Sequence, residues 1–210
     1  MTIRILTICT GNICRSPLAA QLLATKLGST QFQITTGGTS PVVGEPMQEM
    51  MQRIALRMGA LEVSEHRAIG MTPDVVANAD LILGMDRDHR RAAARLLPNA
   101  ARRSFTLLEF AHVVSYIDDA AIENQVRTLG DPIRDALEMA MRMRGVVPRL
   151  IPDRLYDVPD PYGRSKQVYE RSAKQIERAV DQIVTFFDRT ATFTEVTTGP
   201  DDAVITPDSE

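Results

Sequence analysis

Three observations predict an α/β fold built on a parallel sheet. The run Ile3-Arg4-Ile5-Leu6-Thr7-Ile8 is short and nearly continuously apolar, as a strand buried on both faces must be. Three further strand-length apolar runs follow it, at 32–35, 79–83 and 104–108. Segments with helical apolar spacing separate them, the alternation expected of βαβ units.

Taken in order, the first strand gives way at Cys9 to a polar loop ending at Arg15. A helix then follows, with Ser16 as an N-cap and Pro17 at the first helical position, where its missing N–H costs nothing. Leu18, Leu22, Leu23 and Leu27 form its apolar stripe, and Gly28 is a suitable stop. Phe32–Thr35 is a second strand, and Gly37-Gly38 a turn. Residues 46–58 read as a helix whose Met47, Met50, Met51, Ile54 and Met58 pack into the core. Ala79–Leu83 is a third strand. The helix after it starts near Asp86 and stops before Pro98, and Ser104–Leu108 is the fourth strand. A long helix over 165–187 places Val168, Ile176, Val180, Ile183 and Phe187 on one face.

Two stretches stand apart. Residues 111–155 are helical and polar-amphipathic, and read as an inserted helical hairpin rather than another βα unit. The tail, 188–210, holds six threonines and six acidic residues against one arginine, a net charge of −5 that leaves +2 on residues 1–187. Such a segment cannot bury enough surface to order itself and is expected to be flexible. The mildly basic remainder suits an anionic substrate.

Composition narrows the function. The 210 residues carry a net charge of −3, unlike a dedicated nucleic-acid binder. Two cysteines are too few for a disulfide scaffold and point to a reducing compartment. Three histidines add little material for a metal site. The N-terminus lacks the features of a signal peptide, and no apolar run approaches the roughly 20 residues of a membrane span. The expectation is a soluble cytoplasmic protein without membrane or nucleic-acid partners.

The chemistry lies in Cys9-Thr10-Gly11-Asn12-Ile13-Cys14-Arg15-Ser16, between a strand and a helix. Five residues between Cys9 and Arg15 let the loop wrap an oxyanion with its backbone N–H groups pointing inward, assisted by the helix N-terminus. Gly11 and Asn12 tolerate the left-handed conformations that such a cradle needs. The planar fork of Arg15 can hold two phosphoryl oxygens. A cysteine beside a helix N-terminus and an arginine is expected as a thiolate, and Ser16 can donate its hydroxyl to it. Asp160, between two prolines in Asp157-Val158-Pro159-Asp160-Pro161-Tyr162, is a stiffly held candidate proton donor for a leaving group.

Together these segments resemble the low-molecular-weight protein-tyrosine phosphatase family. The resemblance rests on CTGNICRSP at 9–17 and VPDPYGRS at 158–165, supported by TGGT at 36–39, SEHRA at 64–68 and ADLILGMDRDHR at 79–90. It implies a single domain over 1–187 with a four-stranded parallel sheet flanked by helices, and hydrolysis of phosphate monoesters without metal or other cofactor. Cys9 would attack phosphorus, Arg15 and the loop amides would stabilise the oxygens, and Asp160 would serve as acid and then base. Thr10, Gly11, Asn12, Ile13, Cys14, Ser16 and Tyr162 would surround the substrate. Thr36, His66 and Asp86 would support the loop, with Thr36 holding Asn12 where the family usually has serine. The implied partner is a phosphotyrosine-containing protein, bound by a monomer or weak homodimer.

Ser40-Pro41-Val42-Val43-Gly44 lacks the aromatic residue that many relatives place on the cleft wall. In this, and in VPDPYGRS, the chain is similar to the bacterial branch acting on autophosphorylated tyrosine kinases of polysaccharide export. Ile69-Gly70 stands where the family commonly has Arg-Gln, and the 111–155 segment has no counterpart in typical members. Three rivals remain: an arsenate reductase using a low-molecular-weight thiol, a phosphoarginine phosphatase, and an inactive phosphoprotein-binding module. The phosphoarginine branch typically has threonine at the position of Ile13, whose apolar side chain suits a phenyl ring instead. Cys14 is either a small packing residue or a thiol that traps an oxidised Cys9 as a disulfide.

Overall fold

Strand β1 (Ile3–Cys9) lies inside a four-stranded, all-parallel sheet with the order β2-β1-β3-β4, where β2 is Phe32–Gly38, β3 Leu81–Gly84 and β4 Ser104–Thr106. The computed structural model describes residues 2–126 and 131–197. Alternate side chains of β1 serve opposite faces, as the period of a strand requires. Ile3 and Ile5 join the larger core with Leu81 and Leu83, whereas Leu6 and Ile8 pack with Ile82 on the other side.

The larger core lies under α1 (Arg15–Leu27), α2 (Glu49–Arg57), α5 (Leu107–Val114) and α8 (Lys166–Thr197). The smaller one is closed by α3 (Pro73–Ala77), by α4 (Arg87–Leu96) and by a 3-10 turn at Pro98–Arg103, through Val76, Ala93 and Ala100. Methionines 47 and 51 are fully buried in the larger core, so the methionine stripe is packing. Because β1 connects to β2 on one side and pairs with β3 on the other, the loop leaving β1 emerges at the point where the strand order reverses. In open α/β sheets this is where ligands bind.

Several elements depart from the sequence expectation, each for a physical reason. The fourth strand ends at Thr106 rather than Leu108 because Thr106 starts a helix. Its hydroxyl accepts from the Glu109 N–H while the Glu109 carboxylate accepts from the Thr106 N–H, a reciprocal cap. The resulting α5 straddles residue 111, so the segment 111–155 begins inside a core helix. The rest of it carries α6 (Asp119–Val126) and α7 (Pro132–Met143), helical as expected. Ile122, Ile133, Ala136, Leu137 and Ala140 are buried and continuous with the larger core, so these helices extend that core.

The tail begins later than its composition suggests. Helix α8 continues ten residues past Phe187, to Thr197. Thr190 is buried and returns its hydroxyl to the Phe186 carbonyl, while Arg189 pairs with Asp119 of α6 at 2.6 Å. The expected flexibility of 198–210 falls outside the described residues. Upstream of that extension, the Phe187 ring lies 4.9 Å from Phe32 and 5.2 Å from Phe186, fastening α8 to β2. Such pairs add about 0.5–1.5 kcal/mol each beyond area burial.

Gly84, at the end of β3, has no room for a side chain. A Cβ there would stand 2.8 Å from the Arg90 N and 2.9 Å from the Asp86 O, both backbone atoms. Gly84→Ala is therefore expected to lower stability by about 1–3 kcal/mol, read by urea unfolding, because α4 must shift to admit the methyl. Unchanged stability would contradict this close approach.

Candidate active site

The loop leaving β1 closes onto α1 with no side chain capping the helix. Cys14 occupies the N-cap position without a side-chain hydrogen bond, two residues before the Ser16 cap predicted from sequence, and the helix begins at Arg15. Ser16 is diverted because its hydroxyl serves the loop. The first amide N–H groups of α1 thus point into the loop without a side-chain acceptor, the arrangement that favours an anion. Asn12 takes φ 56°, the left-handed turn the cradle requires. Gly38, opposite, must be glycine, since a Cβ would stand 2.7 Å from the Thr10 carbonyl oxygen.

Asn12 is completely buried and organises the loop. Its Oδ1 accepts from the Ile69 N–H at 2.9 Å and the Thr36 hydroxyl at 3.3 Å. An N–H can only donate, so this contact fixes the amide orientation and leaves Nδ2 to donate to the Ser16 Oγ at 3.0 Å. With Ser16 Oγ accepting from Asn12, its own hydrogen goes to the Cys9 Sγ, 2.9 Å away. His66 closes the set: its Nε2 lies 2.7 Å from the Asn12 carbonyl oxygen, so Nε2 carries the proton. Burial, opposed by that contact, holds His66 below its ordinary value and keeps it neutral. Ile69-Gly70, the departure from the family pattern, supports the loop through backbone, which needs no particular side chain. The Gly38 N–H also bonds to the Ile69 carbonyl.

Arg15 is 3% exposed and gathers the second half of the site. Its Nη2 pairs with Asp160 Oδ2 at 2.8 Å, and its Nη1 with Asp86 Oδ2 at 3.2 Å and the Val158 carbonyl at 3.1 Å. Its buried Nε has no hydrogen-bond partner among the described residues. Asp86 caps α4 by accepting from the Asp88 and His89 N–H groups. His89 lies with Nδ1 2.9 Å from Asp86 Oδ1 and Nε2 3.0 Å from the Thr10 hydroxyl. Burial disfavours the Asp86 carboxylate, but His89 and then Arg15 outweigh it and hold the group down at about 2.

The residues singled out from the sequence lie on this loop or bond to it, except Tyr162, which is exposed and whose N–H donates to Asp160 Oδ1 at 3.2 Å. Others were missed. His89 joins Asp86 to Thr10, and its only sequence signal was helical spacing from Asp86. Arg87 grips Asp157 through its Nε and Nη2, at 2.9–3.1 Å, and so anchors the segment that carries Asp160. Val42 lies with Ile13 around Gly11, where a Cβ would meet Ile13 Cγ1 at 3.4 Å and Val42 Cγ2 at 3.6 Å. Two aliphatic side chains thus lie beside the loop, in a segment where an aromatic one is absent. A cleft of about 340 Å³ opens here between Thr10, Arg15, Asp86 and Asp160.

Cys14 is buried and packs, like Cys9, at the edge of the larger core. Burial and the neighbouring Cys9 push its thiol up to about 12, and Tyr169, in contact with it, is pushed up to about 12 by burial and by Cys14. At neutral pH the Cys14 thiol is therefore protonated.

A thiol centred in an amide-lined cradle, with a buried arginine and a facing carboxylate, defines a cysteine-dependent phosphoryl-transfer site. The model of the low molecular weight phosphotyrosine protein phosphatase family matches residues 4–123. The probable low molecular weight protein-tyrosine-phosphatase EpsP of Ralstonia solanacearum is 33% identical over 149 residues, spanning 70% of this chain and 94% of that protein. The protein-arginine-phosphatase of Geobacillus stearothermophilus is 30% identical over 110 residues, spanning 52% of this chain and 72% of that one. The crystal structure of the Erwinia amylovora tyrosine phosphatase AmsI shares the fold, with a TM-score of 0.62 at 23% identity over 88% of this chain and 93% of that one. The chain belongs to the low molecular weight protein-tyrosine phosphatase family. Asp160 lies beyond the span matched by the family model, and the fold brings it to Arg15.

The depressed Asp86 carboxyl yields a pH prediction. A group held below its unfolded value of 3.8 adds stability above that pH, and the gain disappears as pH falls through about 2. A shift of this size corresponds to about 2 kcal/mol. Asp86→Asn retains the helix cap, so at pH 7 it should be less stable than the parent by about that amount. Urea unfolding between pH 4 and 2 should show the difference closing.

Proposed function

We propose that this chain hydrolyses phosphotyrosine in proteins through a phosphocysteine intermediate, using only its own side chains and backbone. The observation that carries the proposal is the orientation of the Ser16 hydroxyl. It accepts from Asn12 and donates to Cys9 Sγ, which is the pattern that stabilises a thiolate nucleophile.

The Cys9 thiolate attacks phosphorus, and the bond to the tyrosyl oxygen breaks as the sulfur–phosphorus bond forms. The free amides of the loop and the Arg15 fork hold the three equatorial oxygens. The unpartnered Nε of Arg15 takes one of them, and Nη2 exchanges Asp160 for another. Asp160, released from Arg15 and protonated from solvent, gives that proton to the departing phenolate. It then takes a proton from the water that displaces Cys9, returning the thiolate and inorganic phosphate. The Ile13 and Val42 side chains flank the ring, and their aliphatic surface supports a phenyl ring over the charged guanidinium of phosphoarginine.

The substrate class we assign is the phosphotyrosine-bearing protein, including an autophosphorylated kinase of polysaccharide export. The names of relatives such as EpsP and AmsI as tyrosine phosphatases support the amino-acid class, and the VPDPYGRS loop supports the branch. We place the enzyme in the cytoplasm as a monomer or weak homodimer. Among the described residues no helix is long and apolar enough to cross a membrane.

Cys9→Ser should abolish turnover of phosphotyrosine and of p-nitrophenyl phosphate in buffer containing a chelator. Asp160→Ala should lower kcat for phosphotyrosine by about 10²–10⁴-fold. It should do less to p-nitrophenyl phosphate, whose leaving group departs without needing a proton. Equal losses on both substrates would contradict the acid role of Asp160, and turnover in Cys9→Ser would contradict the nucleophile.

A further inference from the structure

A second cavity, of about 370 Å³, adjoins the catalytic cleft, and Arg87 and Arg91 line both. Arg90, Arg144 and Arg149 complete a set of five arginines around it, against two carboxylates, Glu109 and Asp153. Each carboxylate is shared. Glu109 accepts from Arg90 at 3.1 Å and from Arg144 at 3.0 Å, and Asp153 pairs with Arg149 at 3.1 Å and Arg87 at 3.5 Å. Arg91 pairs with Asp88 at 2.7 Å, across an exposed turn of α4. With Asp157 on Arg87 and Asp88 on Arg91 counted beside Glu109 and Asp153, five arginines meet four carboxylates, and the wall carries one positive charge in excess.

Arg144 is the fixed part of this wall. Its guanidinium lies 3.5 Å over the Phe105 ring and also bonds to the Ala101 and Ser104 carbonyls. Burial pushes it down from its ordinary value and Arg90 pushes it the same way, against Glu109. Arg90 and Arg149 are the open part. Among the described residues Arg90 uses only Nη1, on Glu109, and Arg149 only Nη2, on Asp153. Arg149 is 73% exposed. The wall formed by Pro148, Arg149 and Asp153 lies just upstream of the segment that carries Asp160, within 111–155.

We propose that this cavity is an anion subsite that takes a second negatively charged side chain, carboxylate or phosphoryl, of the polypeptide whose phosphotyrosine occupies the Cys9 loop. The proposal rests on the phosphotyrosine reading of that loop and narrows it to substrates with an acidic or multiply phosphorylated flank. The two cavities share Arg87 and Arg91, so one polypeptide spans both. Isolated aryl phosphates reach only the first. The Asp157–Arg87 contact keeps the acid-bearing segment and the subsite wall in register.

The test compares kcat/KM for p-nitrophenyl phosphate and three phosphotyrosine peptides, with neutral flanks, glutamate flanks and a second phosphotyrosine. The enzymes are the parent, Arg149→Ala and Arg149→Glu, the residue being exposed enough to change without disturbing the core. The parent should favour the charged peptides over the neutral one by roughly fivefold at low salt, the size expected of one exposed ion pair. High salt should erase the preference. Arg149→Ala should reduce it and Arg149→Glu should remove or reverse it, with p-nitrophenyl phosphate turnover unchanged in both. A preference for glutamate and phosphotyrosine alike would assign any anion, and a preference for the second phosphotyrosine alone would assign a phosphoryl group. Equal kcat/KM on all peptides, or a preference that survives Arg149→Glu, would overturn the subsite while leaving the catalytic reading intact. A parent inactive on p-nitrophenyl phosphate as well would overturn the catalytic reading and the subsite with it.

Discussion

The buried guanidinium of Arg15 is the constraint on which the site depends. It enters from the first turn of α1 and meets Asp86 at the start of α4 and Val158 and Asp160 from the segment before α8. These are three parts of the chain more than 70 residues apart from each other or from Arg15. A buried arginine is tolerated only when its charge is compensated and its donors are used. Two carboxylates, the Val158 carbonyl and the Thr10 hydroxyl take four of its five N–H donors, and Nε, without a partner among the described residues, remains for an anion. The same charge that ties the segments together is therefore the charge that receives the substrate.

Much of this was legible in the sequence. The buried strand, the Cys-x5-Arg loop and the Asp between two prolines are local patterns, and local patterns survive in one dimension. Asn12 could be singled out because a left-handed, hydrogen-bonding position favours that residue type, and it takes φ 56°. Partnerships across the fold were not legible. Nothing in the alanine-rich helix after Asp86 marks His89 as the link to Thr10, and nothing marks Arg87 as the clamp on Asp157, since both depend on where α4 lies against β1.

Where sequence reading erred, a local preference lost to a tertiary contact. Ser16 has the composition of a helix cap, but its hydroxyl is taken by Asn12 and Cys9, so the helix starts uncapped and open to an anion. Leu107 and Leu108 extend a strand pattern, but the reciprocal bonds of Thr106 and Glu109 turn the chain into a helix. The residues after Phe187 are polar enough to suggest flexibility, yet Thr190 is buried and Arg189 is paired, so α8 continues. Residues 111–155 read as an inserted helical hairpin, and what composition could not show is that their helices extend the core and supply part of an arginine-lined wall beside the cleft.

The central claim is that the loop around Cys9 accepts a phosphoryl group onto sulfur. The direct measurement is rapid acid quenching during turnover of a phosphotyrosine peptide, followed by mapping of the phosphorylated peptide by mass spectrometry. The account predicts a transient phosphoryl group on Cys9, formed and lost at rates consistent with kcat. Turnover with no phosphoryl group on Cys9, or with one on another residue, would contradict it.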